Sequence, residues 1–264
     1  MGQKINPKSF RTGLTKNWSS RWFFALPPEK AGKRGSLPKP TLYAKLLEED
    51  EAIRKMVIEK IALAGVASIE IERTASNIRI FIKAARPGLI IGRGGKGVED
   101  LTKAIDVSIR KVRGEKQPIP LSVNIEELKR TEISAQYTAQ QIAWDLEKRM
   151  KTRRTIKKYL DLIRQNREVQ GAKILVSGRV DGNEIARREV LKYGALPLQN
   201  LRADIDYGQA TAHTSYGANG IKVWIYKGEI FSGSATAKQD KRNFDKAEEN
   251  DALRRAGRGG RNDR

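Results

Sequence analysis

The chain has 264 residues, with 52 lysines and arginines against 31 aspartates and glutamates and a formal net charge of +21. That length accommodates two domains with a core each, and a cationic surplus of that size calls for a polyanionic partner, above all nucleic acid. Cysteine is absent and His213 is the only histidine, which excludes disulfides and thiolate metal centres and confines histidine chemistry to one residue.

The opening MGQKINPKSF lacks the apolar run of a signal peptide, and no window is long and apolar enough for a membrane span. The expectation is a soluble cytoplasmic protein with no membrane partner. From Met1 to Lys45 there are ten basic residues and one acid, Glu29, interleaved with Phe10, Trp18, Trp22, Phe23 and Phe24. Prolines 27, 28, 38 and 40 with glycines 32 and 35 mark loop. Residues 1–45 therefore read as a basic, aromatic arm whose cations meet phosphates and whose rings either stack on bases or cover the protein's own core.

The run LLEEDEAIRKMVIEKIALAG places Ile53, Met56, Val57, Lys60 and Ile61 at helical spacing, with Gly65 as a stop. VASIEIER and SNIRIFIKAA follow. In them Ile69 and Ile71, then Ile78, Ile80 and Ile82, alternate with polar residues such as Arg79 and Lys83, as in an antiparallel sheet with one wet face.

The next stretch, ARPGLIIGRGGKGVEDL, parses in two ways. Glycines 92, 94 and 97 fit the G-x-G-x-x-G of a dinucleotide fold, whereas Gly92 and Gly95 fit the G-x-x-G of a KH domain, which clamps single-stranded nucleic acid. A dinucleotide fold needs a buried parallel strand running directly into the first glycine. Here the preceding strand alternates and Arg86-Pro87-Gly88 interrupts it. A P-loop fails as well, with Ile90 in place of its first glycine and Gly97 in place of Ser or Thr. The KH context fits: an apolar turn, then Gly92, Arg93, Gly94, Gly95 and Lys96, then a helix GVEDLTKAIDVSIRKVRG with Val98, Leu101 and Ile105 toward the sheet. Such a loop lets phosphates approach the backbone and the N–H groups of the helix start, with Arg93 and Lys96 adding charge. LSVNIEEL reads as a third strand.

Near Lys129 a long helical pattern begins, with Ala135, Ala139, Ile142, Leu146 and Met150 at its apolar positions. Seven of the eleven residues from Lys148 to Lys158 are basic and none is acidic. At helical spacing Arg153, Arg154, Lys157 and Lys158 share one side, and Ile156, Leu160 and Ile163 the other. That predicts a docked helix with a cationic outer face for phosphates, extended by Lys148, Arg149 and Lys151. Then come a strand, AKILVSG; a polar helix around GNEIARREVLKYG; and strands RADIDYGQATA and GIKVWIYKGEI, joined by a turn containing Gly217 and Gly220. From Ser232 onward the composition is small, polar and charged, as in a disordered tail. An enzymatic alternative takes Asp204 and Asp206, with Glu184 or Asp181, as a metal site for phosphodiester cleavage.

The order helix, strand, strand, helix, helix, strand resembles the type II KH domain. MGQKINP, SRWF, ARPGLIIGRGGKGVEDL, SGRVDGNEIARRE, and LRADIDY followed by AHTSYGANGIKVWIYKGEI resemble, in order to about Phe231, the bacterial-type family of ribosomal protein three of the small subunit. Gly94 stands where a second basic residue is usual, and residues 26–45 form a lengthened connection. The resemblance implies an α+β protein: arm 1–45, type II KH domain 46–128, a second α/β domain 129–231 and a tail 232–264. It implies a non-enzymatic constituent of the subunit head with no cofactor and no metal. The implied partners are rRNA, mRNA and neighbouring ribosomal proteins. Arg153, Arg154 and Lys157 match the family's basic residues in the mRNA entrance channel, which support unwinding of structured messages. The binding-module alternative is a free KH regulator of RNA.

Overall fold

Alternating isoleucines set the first half of the molecule. The computed structural model describes residues 4–23, 42–74, 77–113, 120–129 and 132–230; the proposed tail and most of the 26–45 connection lie outside them. In chain order, a short helix α1 (Pro7–Arg11) and a two-residue strand β1 (Ser20–Arg21) precede helix α2 (Leu42–Ile61), β2 (Val66–Arg73), β3 (Ile78–Ala84), α3 (Pro87–Ile91), α4 (Lys96–Arg113) and β4 (Leu121–Glu127). The sheet order is β1-β2-β3-β4. Ile71, Ile78, Ile80 and Ile82 face α2 and α4, which return Ile53, Val57 and Ile61, and Leu101, Ile105 and Ile109. The spacing of four in both helices places these side chains on one stripe, and each stabilises by about 1.5–3 kcal/mol through burial. The sheet is mixed rather than antiparallel: β2 and β3 run antiparallel, but β1 with β2 and β3 with β4 are parallel. Pro87 opens α3 instead of breaking the chain, because a proline at the first helical position gives up an N–H that has no helical partner.

The second half contains α5 (Ala135–Glu147), α6 (Thr152–Gln165), β5 (Gly171–Gly178), β6 (Arg187–Gly194), β7 (Ala203–Thr214) and β8 (Gly217–Glu229). Its sheet, ordered β6-β5-β8-β7, is antiparallel throughout, with α5 and α6 packed on one face. Two sheet-side acids cap these helices. Asp206 accepts from the Ala135 N–H at 2.7 Å, and Asp181 accepts from the Thr152 N–H and hydroxyl, each at 3.0 Å.

Three expectations for this half need correction. The polar segment 187–194 is not helical but the edge strand β6. Its period is two, with Arg188, Val190 and Lys192 more exposed than Glu189, Leu191 and Tyr193 between them, and a charged outer row is how an edge strand is kept from pairing further. Gly220 lies inside β8 rather than in the turn. The long helix breaks at Arg149, whose φ of 62° no helix accommodates, so Met150 leaves the core and is exposed.

The arm belongs to both halves. Arg11 is fully buried, and its guanidinium donates to the carbonyls of Ala203 (2.8 Å), Leu198 (2.9 Å), Asn200 (2.8 Å) and Pro7 (3.1 Å). Further along, Ser20 and Trp22 both donate to Asp50 at 2.8 Å, beside Arg73, which donates to Asp50 at 2.7 Å and Glu49 at 2.6 Å. Arg113 closes the group on Glu49 at 2.6 Å. Trp22 thus covers the protein's own interior, whereas Trp18 and Phe23 stay exposed.

Candidate nucleic-acid interface

The glycine loop joins α3 to α4. Its backbone takes φ of 68° at Gly92, 63° at Gly94 and 82° at Gly95, values that side chains rarely adopt. Gly97 serves a different purpose: a Cβ there would come 2.3 Å from the Ile90 carbonyl, so it lets α4 start against α3. Around Gly94 and Gly95 there is open space, and Arg93 and Lys96 are exposed with no acidic partner among the described residues. The first turn of α4 carries Glu99, which favours the helix dipole and moderates the positive field at the loop.

The cationic stretch 148–158 does not form one helix face. Lys148, Arg149 and Lys151 occupy the break between α5 and α6, where Lys148 ends the first helix and Lys151 precedes the second. Lys158 lies 3.3 Å from Asp145 and 5.0 Å from the centre of the Tyr159 ring. Arg153, Arg154 and Lys157 remain together on the outer side of α6, exposed and without an ion-pair partner among the described residues. The inner side is locked. Ile156 is fully buried, Ile163 nearly so, and the buried Tyr159 hydroxyl donates to Asp145 at 2.9 Å. Burial and that hydrogen-bonded carboxylate hold the Tyr159 hydroxyl well above its ordinary pKa.

Arg153 and Arg154 sit in the first turn of α6, where cations oppose the helix dipole, and that turn has no acid. Each misplacement costs roughly 0.3–1 kcal/mol when unscreened. Asp181, reaching across from the sheet, supplies the negative charge that the first turn lacks. The metal role considered for Asp181 gives way to that of a cap. Asp204 pairs with Lys16 at 2.5 Å, and Asp206 caps α5 while Lys8 approaches at 3.4 Å. Among the described residues no group of three or more acids or histidines could hold a metal ion, and no helix is long and apolar enough to cross a membrane. Nothing in the sequence signals the roles of Arg11, Glu49, Asp50 and Arg73. Their partners lie tens to nearly two hundred residues away, and only an unusual density of aromatic and basic residues in the arm hints at docking.

Two α+β units, one built around a glycine loop and one presenting exposed cations on a helix, define an RNA-binding protein of the KH class. Comparison with known proteins agrees: the KH domain family matches residues 52–133, and the family described as ribosomal protein S3, C-terminal domain, matches residues 142–225. The small ribosomal subunit protein uS3 of Desulfitobacterium hafniense is 44% identical over 238 residues, covering 90% of this chain and 97% of the relative. That of Maridesulfovibrio salexigens is 45% identical over 230 residues, 87% of this chain and 97% of the relative, and that of Polynucleobacter asymbioticus is 40% identical over 256 residues, 97% and 85%. The chain belongs to the uS3 family of small ribosomal subunit proteins. It is a structural component of the cytoplasmic ribosome, not an enzyme, and its partners are rRNA and other ribosomal proteins.

Proposed function

We propose that α6 lines the channel through which mRNA enters the small subunit, and that Arg153, Arg154 and Lys157 hold the phosphates of the incoming strand. The observation that carries this is the pairing of an exposed cationic face, without ion-pair partners among the described residues, with a locked apolar face on one helix. Such a surface grips a backbone without reading bases, as every message requires. While the particle pulls on the message, charges that hold the single strand favour opening of a duplex just outside, and the polypeptide needs no ATP. The test compares translation of an unstructured message with one carrying a stable hairpin downstream of the entrance. Replacement of Arg153, Arg154 and Lys157 by alanine should slow the second message more than the first. Equal slowing of both would indicate defective assembly, and no slowing of either would make this an rRNA-facing or solvated surface.

In the same reading residues 46–128 and 129–231 act as separate RNA-facing units in the subunit head, and the loop Gly92–Lys96 lies against an RNA or protein backbone. Exposed Arg93 and Lys96 beside glycines with free space around them support this. Gly92→Asp with Gly95→Asp brings charge and bulk to that backbone, and the expected result is impaired incorporation into the subunit. Normal incorporation with unchanged RNA affinity would reduce the loop to a helix cap.

A further inference from the structure

The sheet of the second half has a face turned away from α5 and α6. At one end it is covered: Ile205 and Tyr226 lie beneath Leu196 and Leu198, in the segment that Arg11 fastens down. The rest is open. Strand register lines up Lys192 of β6, Lys173 of β5, Trp224 of β8 and Tyr207 of β7 in one row. The next row is Val190, Leu175, Lys222 and Gln209, and the third Arg188, Ser177, Gly220 and Thr211. None of these positions is acidic.

Lys173 and Lys192 are direct cross-strand neighbours of like charge, an arrangement that destabilises a sheet. Lys4 of the arm joins them around a recess of about 340 Å³. Among the described residues none of the three, nor Lys222 or Arg188, has a carboxylate partner, and the acid of β6, Glu189, pairs with Arg187 at 3.0 Å on the other side of the strand. The Lys173 ammonium lies 5.0 Å from the centre of the Trp224 ring. Burial, followed by the charges of Lys192 and Lys4, pushes its pKa down. Other half-buried lysines of the chain do sit against acids, as with Lys16 and Asp204 or Lys83 and Glu132.

We infer that this open sheet face is a second RNA-docking surface, on the opposite side of the domain from the α6 cations, with Lys4, Lys173, Lys192 and Lys222 taking backbone phosphates. A polyanion relieves the lysine repulsion that the fold leaves standing, and the partly exposed Trp224 ring gives its sugars or bases a flat neighbour. The spread of charge over three strands suits an extended phosphate backbone rather than a single small anion. The inference does not depend on α6 touching mRNA.

The test is K173Q/K192Q/K222Q in the full-length protein, with binding of a short RNA duplex followed against salt concentration. The slope of log K against log salt should fall by about two to three units, while the thermal midpoint stays level or rises because repulsion has been removed. K173R/K192R/K222R should keep the parent slope. In intact small subunits, amine acylation of Lys173, Lys192 and Lys222 should be blocked and should return after nuclease digestion of the RNA. An unchanged slope, or lysines that react equally in the particle and the free protein, would overturn the inference. So would protection that survives nuclease, which would assign the surface to an acidic protein neighbour. R153A/R154A/K157A serves as the contrast: it should leave the protection of these lysines intact whatever it does to hairpin messages.

Discussion

Arginines do two opposite jobs in this chain, and the contrast separates fold from function. Arg11 and Arg73 are buried, and each is surrounded by acceptors at hydrogen-bond distance. Arg153 and Arg154 are exposed, have no ion-pair partner among the described residues, and stand at the end of a helix that disfavours positive charge. A buried cation without partners would cost several kcal/mol, so the acceptors gathered around the first pair mark them as structural. An exposed cation placed against a helix dipole gains little from the fold, and the proposed contact with an RNA strand would account for it.

Substitutions that break this contrast should differ in size. Arg73→Ala leaves Glu49 and Asp50 buried together, and the expected loss of about 3–5 kcal/mol should appear as a lowered unfolding midpoint in denaturant. Arg11→Ala removes a donor from three carbonyls of the second half and one of α1, with an expected loss of about 3 kcal/mol. Its signature is release of the arm, visible as faster proteolysis near residues 4–23 while the two cores stay protected. Asp181→Ala removes the cap on α6 and should cost about 1 kcal/mol, with hydrogen exchange accelerated in the first turn of that helix alone. Replacing Arg153, Arg154 and Lys157 by alanine should change stability by no more than about 0.5 kcal/mol, or raise it slightly, because unfavourable dipole interactions are removed.

The same contrast explains what the sequence discloses. The first sheet and its helices are legible because isoleucines recur every second residue in β2 and β3 and apolar residues every fourth in α2 and α4. The glycine loop is legible from its setting more than from its glycines. Exposed cations on α6 are visible too, since charge and period coincide there. Buried charges are not. Nothing near Arg11 in sequence announces the carbonyls of Leu198, Asn200 and Ala203, and a carboxylate such as Asp181 looks the same whether it holds a metal or caps a distant helix. The break at Arg149 is hidden because the apolar spacing runs through it to Met150, and β6 reads as a helix because its charged residues and short apolar run fit both periods.

The most direct test of the central claim, that the outer cations of α6 serve a strand and not the fold, is the salt dependence of single-stranded RNA binding by full-length protein in which Arg153, Arg154 and Lys157 are alanine. The slope of log K against log salt should fall by roughly two units relative to the parent, about 0.7 for each phosphate no longer neutralised, with the same change for oligomers of different sequence. A slope equal to that of the parent would contradict the claim.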